Sequence, residues 1–175
     1  MTAVEAYDLT TQGGSTDFAR LIAACESFGP YCLIGGLAVN CYVEPVYTLD
    51  ADLVVIAASL PELTAHLEAQ GFKTEVHRHS VNAQAPGSEL RIQFTTDERY
   101  QAFPARSVDA NVLGIRVKVA SREDVTQGKL WAYSDPQRRL SKRKKDELDL
   151  IRLAEAYPEL KSLYPVEIRE QLDKG

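Results

Sequence analysis

Apolar and polar positions along the chain follow two periods, and the switches between them divide it into elements. Phe18, Leu21, Ile22 and Cys25 recur at helical spacing. They predict a helix from Ser15 or Thr16, either of which can cap it, to about Phe28, where Gly29-Pro30 stops it. Tyr31-Cys32-Leu33-Ile34 is wholly apolar, the pattern of a short strand buried on both faces. Gly35-Gly36 interrupts that run, and Leu37 to Val43 reads as a short helix ended by Glu44-Pro45. Thr48 to Ala57 predicts a second strand, in which Thr48, Asp50 and Asp52 alternate with Leu49, Ala51 and Leu53. Ser59 to Gln70 follows as a helix, with a serine cap, an early Pro61 and Gly71 as its stop. Phe72 to His79 and Leu90 to Thr95 are further strands around a turn at Ala83 to Ser88, and Gly114 to Ala120 is a fifth, with Ile115, Val117 and Val119 facing one way. Ser121 caps a helix carrying Val125, Lys129, Leu130 and Tyr133. Pro136 breaks the pattern, and a long helix runs from about Arg138 to Ala156. The expected fold class is α+β. Residues 1–14 form a loose lead-in, 15–120 a mixed-sheet core flanked by helices, and 121–175 a helical part packed on it, within a single domain.

Composition narrows the class. The chain has 175 residues, 45% hydrophobic and 26% charged, which suits a globular protein with a real core. No apolar run approaches the roughly 18 residues that span a bilayer. Met1-Thr2-Ala3-Val4-Glu5 lacks the basic start and apolar stretch of a secretory signal. Cys25, Cys32 and Cys41 form no Cys-x-x-Cys pair, which argues for reduced thiols in a cytoplasm and against a disulfide framework or zinc knuckle. The net charge of −5 gives the chain as a whole no attraction to polyanions. Six of the eight residues from Arg138 to Lys145 are nevertheless basic, so a nucleic acid or triphosphate would meet that segment.

The chemistry concentrates around Gly35-Gly36 and Asp50-Ala51-Asp52. Two residues apart on a strand, Asp50 and Asp52 leave the same face. Like charges about 5 to 7 Å apart repel, so such a pair is costly unless a cation lies between them. Mg²⁺ prefers one or two carboxylates, with substrate phosphates completing its octahedron. A strand running into Gly-Gly and then a helix presents free N–H groups, and glycine lets a phosphate approach the backbone. Either feature alone is more often a turn or a solvated strand end. Their order and spacing together point to a phosphate cradle and metal ligands meeting at one edge of a sheet.

Ile34-Gly35-Gly36-Leu37-Ala38-Val39, followed by Thr48-Leu49-Asp50-Ala51-Asp52-Leu53, resembles the signature of the DNA polymerase β-type nucleotidyltransferase superfamily. The likeness is to its small prokaryotic branch, which includes minimal nucleotidyltransferases and the toxins of abortive-infection toxin–antitoxin systems. Val119 to Asp124, Lys129-Leu130, Lys145-Asp146 and Asp149-Leu150 resemble that branch's C-terminal pattern, so the similarity spans roughly residues 30 to 155. It implies Mg²⁺ on Asp50 and Asp52. It also implies that Gly35, Gly36, Thr48, Lys129, Lys145 and Asp146 serve the substrates. A nucleoside monophosphate would pass from an NTP to a hydroxyl on RNA, protein or a small molecule. A toxin–antitoxin or phage-defence pair would add an antitoxin-like protein partner.

The sequence departs from that pattern in two places. A third acidic residue, metal ligand and activator of the attacking hydroxyl, aligns with Gln93, and an amide cannot act as a base. Glu89 shares the predicted face but lies about 13 Å further along the strand, and Asp97 follows the strand's end. Val46 stands where relatives place a basic residue ahead of the threonine. Three readings stay open: an active transferase taking its general base from elsewhere, a binder of nucleotide and Mg²⁺ without turnover, and a fold serving a protein partner. Other features have plainer readings. Lys142–Asp146 and Lys145–Asp149 would form ordinary (i, i+4) pairs on a solvated helix face, while Lys129 would snorkel or contact a phosphate. His77 and His79 share a strand face without a third ligand, and Trp131 and Tyr133 fit a core better than a stacking platform.

Overall fold

The apolar run Tyr31–Ile34 becomes strand β1, next to the middle of a seven-stranded sheet in a computed structural model that describes residues 1–175. On one side β1 pairs antiparallel with β2 (Asp50–Val55), which puts Ile34 opposite Asp52. On the other side it pairs parallel with β7 (Ile115–Val119), itself the antiparallel partner of β6 (Val108–Val112). Beyond β2 lie β5 (Arg91–Thr95, parallel), β4 (Ser80–Gln84) and β3 (Lys73–Val76), giving the order β3-β4-β5-β2-β1-β7-β6. The mixed sheet with flanking helices and a helical C-terminal part is the α+β architecture that the pattern predicts.

The helices are α1 (Ala3–Thr11), α2 (Gly14–Ser27), α3 (Gly35–Val39), α4 (Leu60–Ala69), α5 (Arg122–Ser134), α6 (Leu140–Ala156) and α7 (Val166–Lys174). One continuous cluster of 39 buried apolar residues runs from Tyr7 on α1 to Ile168 on α7. It includes Leu33, Leu53 and Phe94 from the sheet and Val125, Leu130, Leu150 and Leu153 from α5 and α6, so the C-terminal helices share the sheet's core. Tyrosine hydroxyls tie the parts together: Tyr42 donates to the Ala120 carbonyl at 2.7 Å and Tyr157 to the Tyr42 carbonyl at 2.9 Å.

Several expectations need correction. The lead-in is not loose, because Thr2 and Glu5 cap α1 reciprocally. The third strand is shorter than Phe72 to His79, and β4 overlaps the segment read as a turn. The helix after β1 starts at Gly35 itself and stops at Val39. β6, at Val108–Val112, is a strand that the pattern did not predict. The three thiols belong to the packing: Cys25 and Cys32 are buried, and burial pushes Cys32 up to about 12 and Cys41 to about 11. No helix is long and apolar enough to cross a membrane.

Candidate active site

The antiparallel pairing of β1 with β2 brings the end of one strand against the start of the other, and this contact requires Gly35. Its φ is +70°, and a Cβ built there would lie 3.0 Å from the Asp52 Cγ and closer still to its Oδ2. No residue with a side chain fits between α3 and Asp52. Gly36 is under less constraint: its Cβ would lie 3.6 Å from Thr48, an ordinary contact. Thr48 is buried, and its Oγ1 accepts the Asp50 N–H at 3.2 Å, fixing the entry into β2. Asn40 holds the preceding loop by donating to the Val46 carbonyl at 2.7 Å and accepting its N–H at 3.0 Å.

The two aspartates have different surroundings. Asp50 is bracketed by cations, with Arg91 Nε at 2.8 Å and Lys142 Nζ at 3.1 Å. Asp52, pressed against Gly35, has no cation at ion-pair distance. Burial pushes its carboxyl above the ordinary range, Lys129 draws it back, and Asp50 raises it again. An oxygen-only set of Asp50, Asp52 and the Gln93 amide oxygen suits a hard divalent cation, which would remove the repulsion between the two carboxylates. The chemistry of the residues therefore fits Mg²⁺ on Asp50 and Asp52. Nowhere do three or more His, Cys, Asp or Glu side chains converge on a metal position; His77 and His79 lack a third ligand, and His66 packs on Phe28 with centroids 5.3 Å apart.

Two cavities meet at Asp52 and Gln93. One lies between Gly35 and α5, with Tyr100, Gly128, Lys129 and Arg138 in its wall. The other is a polar groove over β5, β4 and β3, which also includes Asp50 and Arg91. The register puts Gln93 directly opposite Asp52, so the third strand of the site offers an amide where a carboxylate would complete the cluster. Glu89 is not brought in: it precedes β5, is exposed, and gives its backbone N–H to the Thr11 carbonyl at 2.9 Å. Asp97 is claimed by Arg99, with Nη2 at 2.7 Å, and the guanidinium holds its carboxyl below the usual range.

The C-terminal residues are deployed differently from the expectation. Lys129 is not a free phosphate contact; its Nζ lies 3.0 Å from Asp146 and 2.7 Å from Asp149 in the α5–α6 interface. Burial works against its charge, but Asp149 and Asp146 outweigh that and hold its pKa above the ordinary value. Asp146 also receives Arg138 Nε at 2.6 Å, and Asp149 receives Arg152 at 2.9 Å. Both aspartates are therefore taken, and neither expected (i, i+4) pair forms. Lys145 stays half-buried on α6 and makes no ion pair. The sequence reading did not give Arg91 and Lys142 their place on Asp50. The polar alternation of Arg91 with Gln93 was the available signal for one; the basic run was the only one for the other.

No family model matches the chain, and no curated protein matches its sequence. Among solved structures, ANT(2")-Ia in complex with adenylyl-2"-tobramycin aligns with a TM-score of 0.62 at 17% identity, over 92% of this chain and 97% of that one. An antigenic nucleotidyltransferase-like protein from Paracoccidioides brasiliensis gives 0.55 at 21% identity, over 91% and 85%. The lincomycin-bound lincosamide antibiotic adenylyltransferase LnuA gives 0.50 at 16%, over 72% and 86%. The likeness at these identities is one of fold, and the fold is that of the nucleotidyltransferases.

Proposed function

We propose that the chain transfers a nucleoside monophosphate from an NTP to a hydroxyl acceptor, with Mg²⁺ held by Asp50 and Asp52. The observation that carries this reading is the packing of Gly35 against Asp52, on the face Asp52 shares with Asp50, where two cavities meet. The NTP occupies the cavity beside Gly35 and α5, and the acceptor approaches along the groove over β5. The acceptor oxygen forms its bond to the α-phosphorus as the bond from that phosphorus to the bridging oxygen breaks. Pyrophosphate leaves with the electron pair, and the hydroxyl proton goes to solvent. Bound Mg²⁺ would neutralise charge on the phosphates. Gly35 and Gly36 admit the phosphates to the backbone, while Arg91 and Lys142 are placed to exchange Asp50 for phosphate oxygens. Positioning and charge neutralisation supply most of catalysis in such transfers, so a site this small suffices.

Gln93 opposite Asp52 favours a second reading, nucleotide and metal binding without turnover. Thermal melting with ATP, GTP, CTP or UTP, each with and without Mg²⁺, tests what the two share. A nucleotide at ~100 times its dissociation constant stabilises by about 2.7 kcal/mol, and Asp52→Asn should remove the Mg²⁺-dependent part. If no nucleotide moves the melt, both readings fail. Labelled transfer from the bound NTP to total RNA, protein or aminoglycoside, lost in Asp50→Ala, separates the first from the second.

A further inference from the structure

The groove over β3, β4 and β5 carries the sign of its ligand. Two lateral rows of side chains cross it. Asp52, Gln93, Asn82 and Glu75 lie opposite one another in turn across four strands. In the other row Asp50 faces Arg91, and Gln84 faces Lys73. All eight line the same groove, and Lys142 reaches Asp50 from α6 at 3.1 Å. With Asp50 and Asp52 balanced by a divalent cation, the charges left along the groove are Lys73, Arg91 and Lys142 against Glu75 alone. Lys73 is exposed and has no acidic partner at ion-pair distance, and neither does Lys145, one turn beyond Lys142. Lys142 also stands in the first turn of a 17-residue helix without an acidic residue in that turn or a capping side chain. Cations there oppose the helix dipole, and an anion offsets that conflict.

We propose, resting on the nucleotidyl-transfer reading, that the acceptor is a nucleic-acid 3′ end whose phosphodiesters follow the Lys73–Arg91–Lys142 band. Its terminal hydroxyl would lie at Asp52 and Gln93. A polycationic acceptor such as the tobramycin adenylylated by ANT(2")-Ia would meet three like charges on this path. Phosphates fix the chain's register, and the polar row from Gln93 to Glu75 is left to meet sugar and base.

The test is binding of a fluorescent single-stranded oligoribonucleotide with a free 3′ hydroxyl, read by anisotropy at several salt concentrations with Mg²⁺ and an NTP analogue uncleavable at the α-phosphate. Binding should weaken steeply with salt. Lys73→Glu, at an exposed position, and Lys145→Glu, at a half-buried one without an ion pair, should each weaken it and lower the salt slope by about 1. A 3′-phosphorylated oligonucleotide should bind comparably but accept no label. Absence of binding, or binding indifferent to Lys73→Glu, overturns the assignment. So does an aminoglycoside that binds saturably by calorimetry and gains affinity from Lys73→Glu. Nucleotide-induced melting shifts are recorded on the same samples. If they are absent while the oligonucleotide still binds through Lys73, transfer fails and the groove assignment stands; if they are present without oligonucleotide binding, the reverse holds.

Discussion

A side chain at Gly35 has nowhere to go, because its Cβ would meet the Asp52 carboxylate and the backbone there has a φ of +70°. Gly35→Ala must therefore either move Asp52 or shift the start of α3, at a cost of about 1–3 kcal/mol for the strained backbone alone. The expected outcome is a lower melting temperature together with loss of the Mg²⁺-dependent nucleotide shift. Gly36→Ala, with its Cβ 3.6 Å from Thr48, should fold nearly as well as the parent. Equal melting losses in the two variants would show that the Asp52 contact is not what Gly35 provides. Gln93 calls for the opposite experiment. It lies opposite Asp52 on β5 with no hydrogen-bond partner in the protein holding its amide. Gln93→Asp would supply a third carboxylate to the metal and a base within reach of the acceptor, and a positioned general base contributes roughly 10²–10⁴-fold. Turnover should rise in this variant and the Mg²⁺ concentration at half-maximal activity should fall; a variant no more active than the parent would place the missing chemistry elsewhere.

The α5–α6 pair depends on a small charged cluster between the helices. Lys129 is buried between Asp146 and Asp149, so Lys129→Met would leave each carboxylate beside an apolar side chain with only its arginine, Arg138 or Arg152. Leaving a buried charge uncompensated costs about 3–5 kcal/mol, and with the arginines in place chemical denaturation should show a smaller but clear loss. Lys145→Ala, without an ion pair on the same helix, should stay within about 0.5 kcal/mol. The sequence pattern assigned these charges wrongly, because spacing along one helix says nothing of a lysine arriving from another. The same limit explains the missed strands. β4 reads Ser80-Val81-Asn82-Ala83-Gln84, and Asn82 and Gln84 are polar because they line the groove. β6 is a sheet edge that exposes Asp109 and Asn111. α1 could have been found from Thr2 and Glu5, a capping box that outweighs its thin apolar stripe. Gly35 and the Asp50/Asp52 pair were legible because backbone geometry restricts the one and charge repulsion the other. The tethering of Asp50 by Arg91 and Lys142 was not, since it depends on a neighbouring strand and on a helix 92 residues away.

The groove over β5 and the cavity beside α5 form one site only if the sheet and the C-terminal helices move as one body, and the packing argues that they do. The apolar cluster is continuous from Tyr7 to Ile168, so separating α5, α6 and α7 from the sheet would expose Val119, Val125, Leu130, Leu150 and Leu153 together. Tyr157 crosses the same boundary by donating to the Tyr42 carbonyl. Lys142 crosses it to reach Asp50 on β2. Two-state unfolding is the expected behaviour of a core of this kind. The chain offers a direct check, because Trp131 is its only tryptophan and lies on α5, with Phe103 stacked at 5.9 Å and Arg99 over its ring at 4.8 Å. Tryptophan fluorescence therefore reports on the C-terminal part, while the circular dichroism of the seven-stranded sheet and the helices reports on the whole. In a denaturant titration the two transitions should coincide in midpoint and slope. An earlier fluorescence transition would mean that α5 and α6 detach as a separate unit, and Lys142 would then be a mobile visitor to Asp50, not a fixed wall of the site.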